Sequence, residues 1–400
     1  MISVGIDVSK GKSTVCILKP YGELLQRPFE IMHTVEDLTA LVKTIKHFNE
    51  ETRVVLEATG YYHLPVLEFM KENDIFVSVV NPLVMKKYIN VSLRKAKTDK
   101  IDAAKIAKFG LDHWFDLTNY HPDEKIYEEL KILGRQYLQF MGMYIKGKIT
   151  LTCILDRTMP AIKDLLKSYS DDFSHNKLGD FAFRFWHYDI ITNKGEKHFV
   201  GEYVKWANKK GYHANEKKAH QIYALAQTGI PTLSSSTPST KMLVQEAVKV
   251  LLQTEKSLHI ILARMNELAK SLKEYKVVRA MPGVGDKLAP RLIAEIGDIR
   301  RFHNGSSLIA YAGLDAPPYE SGNFIATKRK ISKRGSSILR KTGYEIMKCL
   351  KTVKPAYDNA VYRYILKKES EGKPKKVAKI AGLNKFLRIY YTRVKEAIAG

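Results

Sequence analysis

Four carboxylates stand where a chain could bring charge together. Asp7 comes near the end of an alternating, β-rich run, Ile2-Ser-Val-Gly-Ile-Asp-Val8, which a Ser9-Lys-Gly-Lys12 turn stops. Glu57 ends a second run, Arg53-Val-Val-Leu-Glu57, and is followed by Ala-Thr-Gly. Asp99 and Asp102 lie in Lys97-Thr-Asp-Lys-Ile-Asp102. Three apart on a helix, they share one face, and at a helix start the dipole favours negative charge. A charge in a core strand is costly unless it is paired or binds a metal. Oxygen donors of this kind suit Mg²⁺ or Mn²⁺, and paired metals clamp the attacking and leaving oxygens of phosphodiester chemistry. Taken singly, Asp99 is as well explained as a helix cap and Asp102 as half of a surface ion pair. All four in this order on this strand pattern form the more specific signal.

A second set lies near the other end. Met281-Pro-Gly-Val-Gly285 separates two helical stretches in the manner of a helix-hairpin-helix unit. Glycines there let the backbone come close to a partner, and N–H groups opening the second helix can take a phosphate. Gly283, Gly285 and Lys287 are the candidate contacts, and such hairpins hold backbone phosphates without reading sequence. Pro290 falls in the first turn of the second helix, where its missing N–H does little harm. Further on, Ser321-Gly322 is followed by a cationic stretch with Lys328, Arg329, Lys330, Lys333 and Arg334. These are candidate DNA contacts, and a serine beside them could attack phosphorus if something activates it. Most Ser-Gly pairs are simply turns.

The elements that must position these residues follow from periodicity. Alternating or short apolar runs predict strands at 2–8, 13–18, 23–29, 53–57 and 75–80. Helical spacing predicts helices at 35–48, 64–72 and 98–109, the last stopping at Gly110. Residues 1–120 therefore form an α/β domain with a mixed sheet. Residues 121–275 are a long-helix region: 124–168 and 239–273 are strongly helical, suggesting an antiparallel, coiled-coil-like arm suited to dimerisation, with a bundle packed on the first domain as the rival. The polar, aromatic stretch 169–238 between them reads as an insertion or flexible segment. Residues 276–400 form a mainly helical, very basic last domain. Its tail, with Lys373, Lys375 and Lys376 and then Leu383-Asn-Lys-Phe-Leu-Arg388, fits a helix whose cationic face lies on nucleic acid.

The charge agrees. Lys and Arg exceed Asp and Glu to give +24 over 400 residues, and a polyanion is the usual reason, because neutralised phosphates release counterions. An apolar run of the roughly 20 residues that span a bilayer is not expected. The start of the chain lacks a signal-peptide pattern, so a cytoplasmic, nucleoid-associated protein is expected. Cys16, Cys153 and Cys349 form no CxxC pair, which argues against disulfides and cysteine zinc sites.

Gly5-Ile-Asp-Val-Ser-Lys10, Leu56-Glu-Ala-Thr-Gly60 and Lys97-Thr-Asp-Lys-Ile-Asp-Ala103 resemble, in order, the motifs of the DEDD insertion-sequence transposases. The resemblance implies an N-terminal ribonuclease-H-like (RuvC-like) domain with Asp7, Glu57, Asp99 and Asp102 as Mg²⁺ (or Mn²⁺) ligands. Residues 276–350 resemble the C-terminal transposase domain of the same family, in which a Ser-Gly after an A-x-A-G-L segment carries the nucleophile. Ala310-Tyr-Ala-Gly-Leu314 and Ser321 match it. The resemblance thus implies a phosphoserine link to DNA, cooperation of both sites across subunits of a dimer or tetramer, and, in some members, guidance by a structured (bridge) RNA that pairs with donor and target DNA. The run after Ser321, Ile331-Ser-Lys-Arg-Gly-Ser-Ser-Ile-Leu-Arg340, departs from the Trp-Gly-Gly-Arg type found in some relatives. Ser332, Ser336 and Ser337 are the alternative nucleophiles. The resemblance spans about 1–165 and 240–400.

Three other readings compete. A junction-resolving nuclease on the same fold would lack serine chemistry. An actin-like kinase would need glycine-rich phosphate loops, which are missing. A non-catalytic nucleic-acid binder would have no need of four carboxylates.

Overall fold

The computed structural model describes residues 1–89, 98–120, 124–166, 176–317, 320–321, 324–325, 330–355 and 359–399, with backbone only at 320–321 and 324–325. The chain folds as two compact units, Met1–Pro122 and Asp123–Gly400. No helix among the described residues is long and apolar enough to cross a membrane.

The first unit is built on β1 (Ile2–Val8), β2 (Lys12–Leu18), β3 (Leu24–Met32), α1 (Val35–His47), β4 (Thr52–Glu57), α2 (Leu64–Glu72), β5 (Val77–Val80), α3 (Pro82–Ile89) and α4 (Asp99–Asp112). The sheet order is β3-β2-β1-β4-β5. The first three strands are antiparallel neighbours, whereas β4 and β5 run parallel to β1. This mixed order fits the expected ribonuclease-H-like domain. Alternation sorts the strand residues between two faces. Ile2, Val4 and Ile6 bury themselves with Leu38, Leu41 and Val66 of α1 and α2.

The opposite face belongs to α4, and it is unusually close. A Cβ on Gly5 would lie 2.2 Å from the Ala107 backbone nitrogen and 2.4 Å from the Ala103 carbonyl oxygen. One on Gly110 would lie 2.2 Å from Ser3 Oγ. Gly110 therefore does not end the helix, as its type suggested; it is a packing contact inside it, and α4 runs on to Asp112. Helix α3 was not anticipated.

The second unit contains α5 (Lys125–Thr158), α6 (Ile162–Leu165), α7 (Lys177–Arg184), α8 (Tyr188–Thr192), α9 (Glu196–Lys209), α10 (Glu216–Thr228), α11 (Pro238–Lys270), α12 (Tyr275–Arg279), α13 (Ala289–Ile296), α14 (Gly305–Tyr311), the ribbon β6 (Glu320–Ser321) and β7 (Phe324–Ile325), α15 (Ser337–Val353), α16 (Ala360–Ser370) and α17 (Lys375–Ala399). Helices α5 and α11 pack side by side. Arg264 pairs with Glu129 at 2.9 Å and Tyr144 reaches Glu255 at 3.3 Å, so the two run antiparallel. Their buried residues recur at spacings of three and four, as in Val244, Val248, Leu251 and Leu258. The long helix expected to 168 breaks earlier. Pro160 has no N–H to donate, and Ala161 takes a left-handed φ of 65°.

The segment between the arm helices corrects the expectation of an irregular insertion. Its aromatic residues make a core: Phe181, Phe185, Phe199 and Tyr203 are each at most 1% exposed and pack with Leu155 and Val248 of the arm. Helices α7 to α10 supply those residues. Chain exit and return are tied together where the Thr232 and Leu233 N–H groups both donate to the Arg157 carbonyl, at 2.9 and 3.0 Å. Around the other half of the arm, α12 to α17 share one core with Leu130, Leu262 and Met265. In α17, Leu383, Phe386, Leu387 and Tyr390 are buried in that core, while Lys375, Lys376, Arg388 and Arg393 remain exposed.

Gly5→Ala should destabilise the chain by about 1–3 kcal/mol or more, since the added methyl meets helix backbone that cannot rotate away. A fall in the urea midpoint of the full chain checks it, and an unchanged midpoint would refute the close approach of α4.

Candidate functional site

The parallel pair β1 and β4 is in register at Ile6 and Leu56. Asp7 and Glu57 are the next residues outward, on neighbouring strands at the same end. Thr14 of β2 lies across from Asp7. Both carboxylates belong to the face under α4, because Ser3 and Gly5 on β1 and Val55 on β4 meet that helix. Helix α4 runs opposite to β1: Gly110 sits over Ser3, and Ala107 and Ala103 over Gly5. Its first turn therefore lies toward Asp7. Asp99 is one turn before Ala103 on the row that meets β1, and Asp102 is one turn before Ile106, which packs with Val55 and Val80. Thr98 fixes where the helix starts, its Oγ1 accepting from Ile101 N–H at 3.3 Å.

All four carboxylates thus occupy one end of one sheet face. Asp7, Glu57 and Asp102 are half-buried, whereas Asp99 is exposed. They are not drawn to a point: among the described residues no three His, Cys, Asp or Glu side chains are grouped closely enough to hold a metal ion. The donors are carboxylate oxygens only, partly open to solvent, and that chemistry fits a hard divalent cation. The turn beyond Glu57 adds features the sequence reading passed over. Thr59 Oγ1 donates to the Glu57 carbonyl at 3.1 Å, and Ala58 N–H bonds Val80 O at 3.1 Å, which together hold the strand end. A Thr two residues past an apolar strand was the available signal.

In the second unit, Ser321 lies in β6, opposite Phe324. Gly322, Lys328 and Arg329 fall outside the described residues. The two strands flanking the ribbon are stapled at its feet. Ser332 N–H bonds Asp315 O at 2.7 Å, Ser332 Oγ donates to the Asp315 carboxylate, and Lys333 N–H bonds Gly313 O at 3.0 Å. Gly335 lies against Tyr311, where a Cβ would be 2.0 Å from the carbonyl oxygen. Arg340 closes the foot by donating to Ala312 O and Gly335 O, both at 2.9 Å. Of the alternative serines, Ser332 is thus a staple. Ser336 caps α15, accepting from Leu339 N–H while its own hydroxyl donates to Glu295, and Ser337 is that helix's first residue. Lys330, Lys333 and Arg334 are exposed.

The Pro282–Gly285 turn joins α12 to α13 and separates its two glycines by role. Gly283 has φ +86° and faces α15, where a Cβ would be 2.8 Å from Ile346 O. Its requirement is internal packing. A Cβ on Gly285 would meet nothing within 4 Å, so its surface is open. Arg279 pins the turn through Asp286 and through Val284 O at 3.0 Å, and that guanidinium holds the Asp286 carboxyl below its ordinary range. The sequence reading also missed two charged residues in the apolar rows: Glu255, 4% exposed, on α11, and Arg291, 8% exposed, on α13. A charge at a core position of an apolar row was the signal. Arg291 pairs with Glu345 at 2.8 Å and lies over the Tyr137 ring at 5.2 Å. Burial pushes the Glu255 carboxyl up.

Comparison with known proteins adds independent findings. Residues 4–160 match the DEDD model of the IS110 transposases, described as a transposase, and residues 275–363 match the model described as the IS116/IS110/IS902 transposase family. The pilin gene-inverting protein of Moraxella bovis is 24% identical over 394 residues, covering 98% of this chain and 95% of its own. That of Moraxella lacunata is 25% identical over the same shares. The transposase for insertion sequence element IS1111A of Coxiella burnetii is 32% identical over 104 residues, 26% of this chain and 28% of its own. Among solved structures, Thermus thermophilus RuvC is similar at 14% identity over 30% of this chain and 98% of its own, with a TM-score of 0.24.

Ser332→Ala removes the hydroxyl from the Asp315 carboxylate and should cost about 1–3 kcal/mol at the ribbon's foot. Hydrogen exchange at the Ser332 and Lys333 amides should quicken about tenfold or more, by the same free energy; unchanged rates would mean the staple does not hold the ribbon.

Proposed function

Because the chain belongs to the IS110 family of DEDD transposases, we propose that this DNA transposase cuts and rejoins DNA with two sets of groups, the carboxylates Asp7, Glu57, Asp99 and Asp102 and the hydroxyl of Ser321. The observation that carries the proposal is the gathering of all four carboxylates at one end of one sheet face. Members of this DEDD class generally use divalent metal ions. Here those four side chains would hold them, with Mg²⁺ the expected ion, and bound metal supplies Lewis-acid stabilisation of charge on a phosphodiester.

The protein's own part is positional. The strand ends and the capped first turn of α4 set the carboxylates along one rim. The stapled ribbon presents Ser321, whose oxygen forms the new bond to phosphorus as the bond to a strand's 3′ or 5′ oxygen breaks. The exposed Lys330, Lys333 and Arg334 are suited to phosphate charge. Gly285 and Lys287 extend the contact to the backbone of the duplex. In functional terms the chain divides into a catalytic domain at 1–120, the long-helix region at 121–275 and the serine-bearing domain at 276–400. Two full-length relatives are named for inverting a gene, which supports site-specific exchange between two DNA sites as the reaction. Such exchange calls for a dimer or tetramer, and a structured RNA encoded beside the gene is the proposed guide.

A recombination assay in cells, supplied with the flanking non-coding DNA, tests this reading. Asp7→Asn and Ser321→Ala should each lower recombination by about a hundredfold or more, with expression and melting unchanged. Deleting the RNA-coding flank should abolish it as well. With purified protein, a chelator should stop cleavage and Mg²⁺ should restore it. Normal recombination by Ser321→Ala would favour a carboxylate nuclease of the junction-resolving kind.

A further inference from the structure

The second unit contains a cavity of about 1110 Å³. It runs along one row of α5, past Tyr137, Met141, Tyr144 and Lys148, residues spaced by three and four. That row is about 16 Å long at the helical rise. One end is bounded by the Pro282–Gly285 turn and Lys287, and the other by Glu255 and Asn176. Exposed Lys148, Arg279 and Lys348 mark its opening to solvent. Typical ligand pockets measure about 300–1,000 Å³, so the space holds a molecule of nucleotide size with room to spare.

Its lining changes character along its length. The turn end is basic. The far end has the half-buried Tyr144 ring beside a deeply buried carboxylate. Glu255 accepts one hydrogen bond at each oxygen, from Tyr144 OH at 3.3 Å and from Asn176 Nδ2 at 3.2 Å. A carboxylate oxygen has capacity for another at each site. What remains is a pair of parallel acceptors beside an aromatic face. Among the bases, guanine alone carries two adjacent donors, N1–H and N2–H, on its pairing edge; adenine and cytosine set one amino group beside an acceptor, and thymine sets one N–H between two acceptors. Base stacking on the ring adds affinity without choosing the base.

The geometry points to a pocket for one unpaired guanine nucleotide, with its base on Glu255 and Tyr144 and its phosphate toward Lys287 and the Pro282–Gly285 turn. The phosphate end rests on the reading of that turn as a backbone contact, whereas the base end stands without it. The same chemistry would take guanine from a DNA strand or as a free nucleotide.

Fluorescence anisotropy with the full chain and short labelled oligothymidines carrying one central dG, dA or dC tests the pocket. The dG strand should bind about tenfold tighter than the others, the discrimination of one bidentate contact. Glu255→Gln should erase that preference and leave affinity for plain oligothymidine unchanged; if this variant does not fold, Tyr144→Leu should bring the dG strand down to the oligothymidine level. Free GMP that displaces the dG strand identifies the loose nucleotide as the source, and failure to displace it identifies the strand; both stand with the pocket if Glu255→Gln loses the preference. No base preference in the wild type, or a preference that Glu255→Gln keeps, would overturn the proposal. Lys287→Ala should weaken every strand equally; equal affinities with the dG preference intact would overturn the turn's phosphate role and leave the base pocket standing.

Discussion

The first unit depends on one contact, the backbone of α4 lying directly on β1. Gly5 and Gly110 remove the side chains that would hold helix and sheet apart, and Ala103 and Ala107 keep the helix side of the contact small. The result is a short lever arm from sheet to helix. Strand ends and the first turn of α4 are then rigidly related, and carboxylates on three separate segments can share one rim. A larger residue at any of those positions would lift the helix and move Asp99 and Asp102 away from Asp7 and Glu57. Rigid placement matters because charges that must act on one phosphate lose their effect when misplaced by about an ångström.

The second unit uses glycine and charge differently. At the Pro282–Gly285 turn one glycine serves the interior and its neighbour the surface, so a motif that looks like a single ligand-binding signature has two separate physical causes. At the foot of the Ser321 ribbon, Gly335 allows two backbone segments to lie in contact, and hydrogen bonds from Ser332, Lys333 and Arg340 then fasten them. Both devices fix irregular backbone by pressing it on a neighbouring segment. That is how a loop can present a side chain without a long helix or strand beneath it.

How far the sequence could be read depended on the range of the forces involved. The strands carrying Asp7 and Glu57 and the helix carrying Asp99 and Asp102 follow from local alternation and capping, and they lie where that pattern puts them. The distances among the carboxylates do not follow, because they depend on how closely α4 approaches, and that is set by residues distant in sequence. Gly110 misled for the same reason: a helix-ending type locally, it is a contact with Ser3 globally. The region 176–228 was opaque because its helices are short, and aromatic residues in short polar helices show no clean period. Only packing of Phe181, Phe185, Phe199 and Tyr203 on one another and on the arm reveals them as a core.

The tie at Arg157, where both Thr232 and Leu233 close onto one carbonyl, makes the far end of the arm a neck through which the chain leaves and returns. Whatever lies beyond such a neck can change length at little entropic expense, because closing a longer loop grows costlier only logarithmically. The register of α5 on α11 is kept by their own side chains, below the neck. The lobe beyond it is therefore an exchangeable module: relatives can diverge there in size and composition while their arms stay superimposable, and a reporter domain grafted at this point would ride on the molecule without altering the frame that carries it.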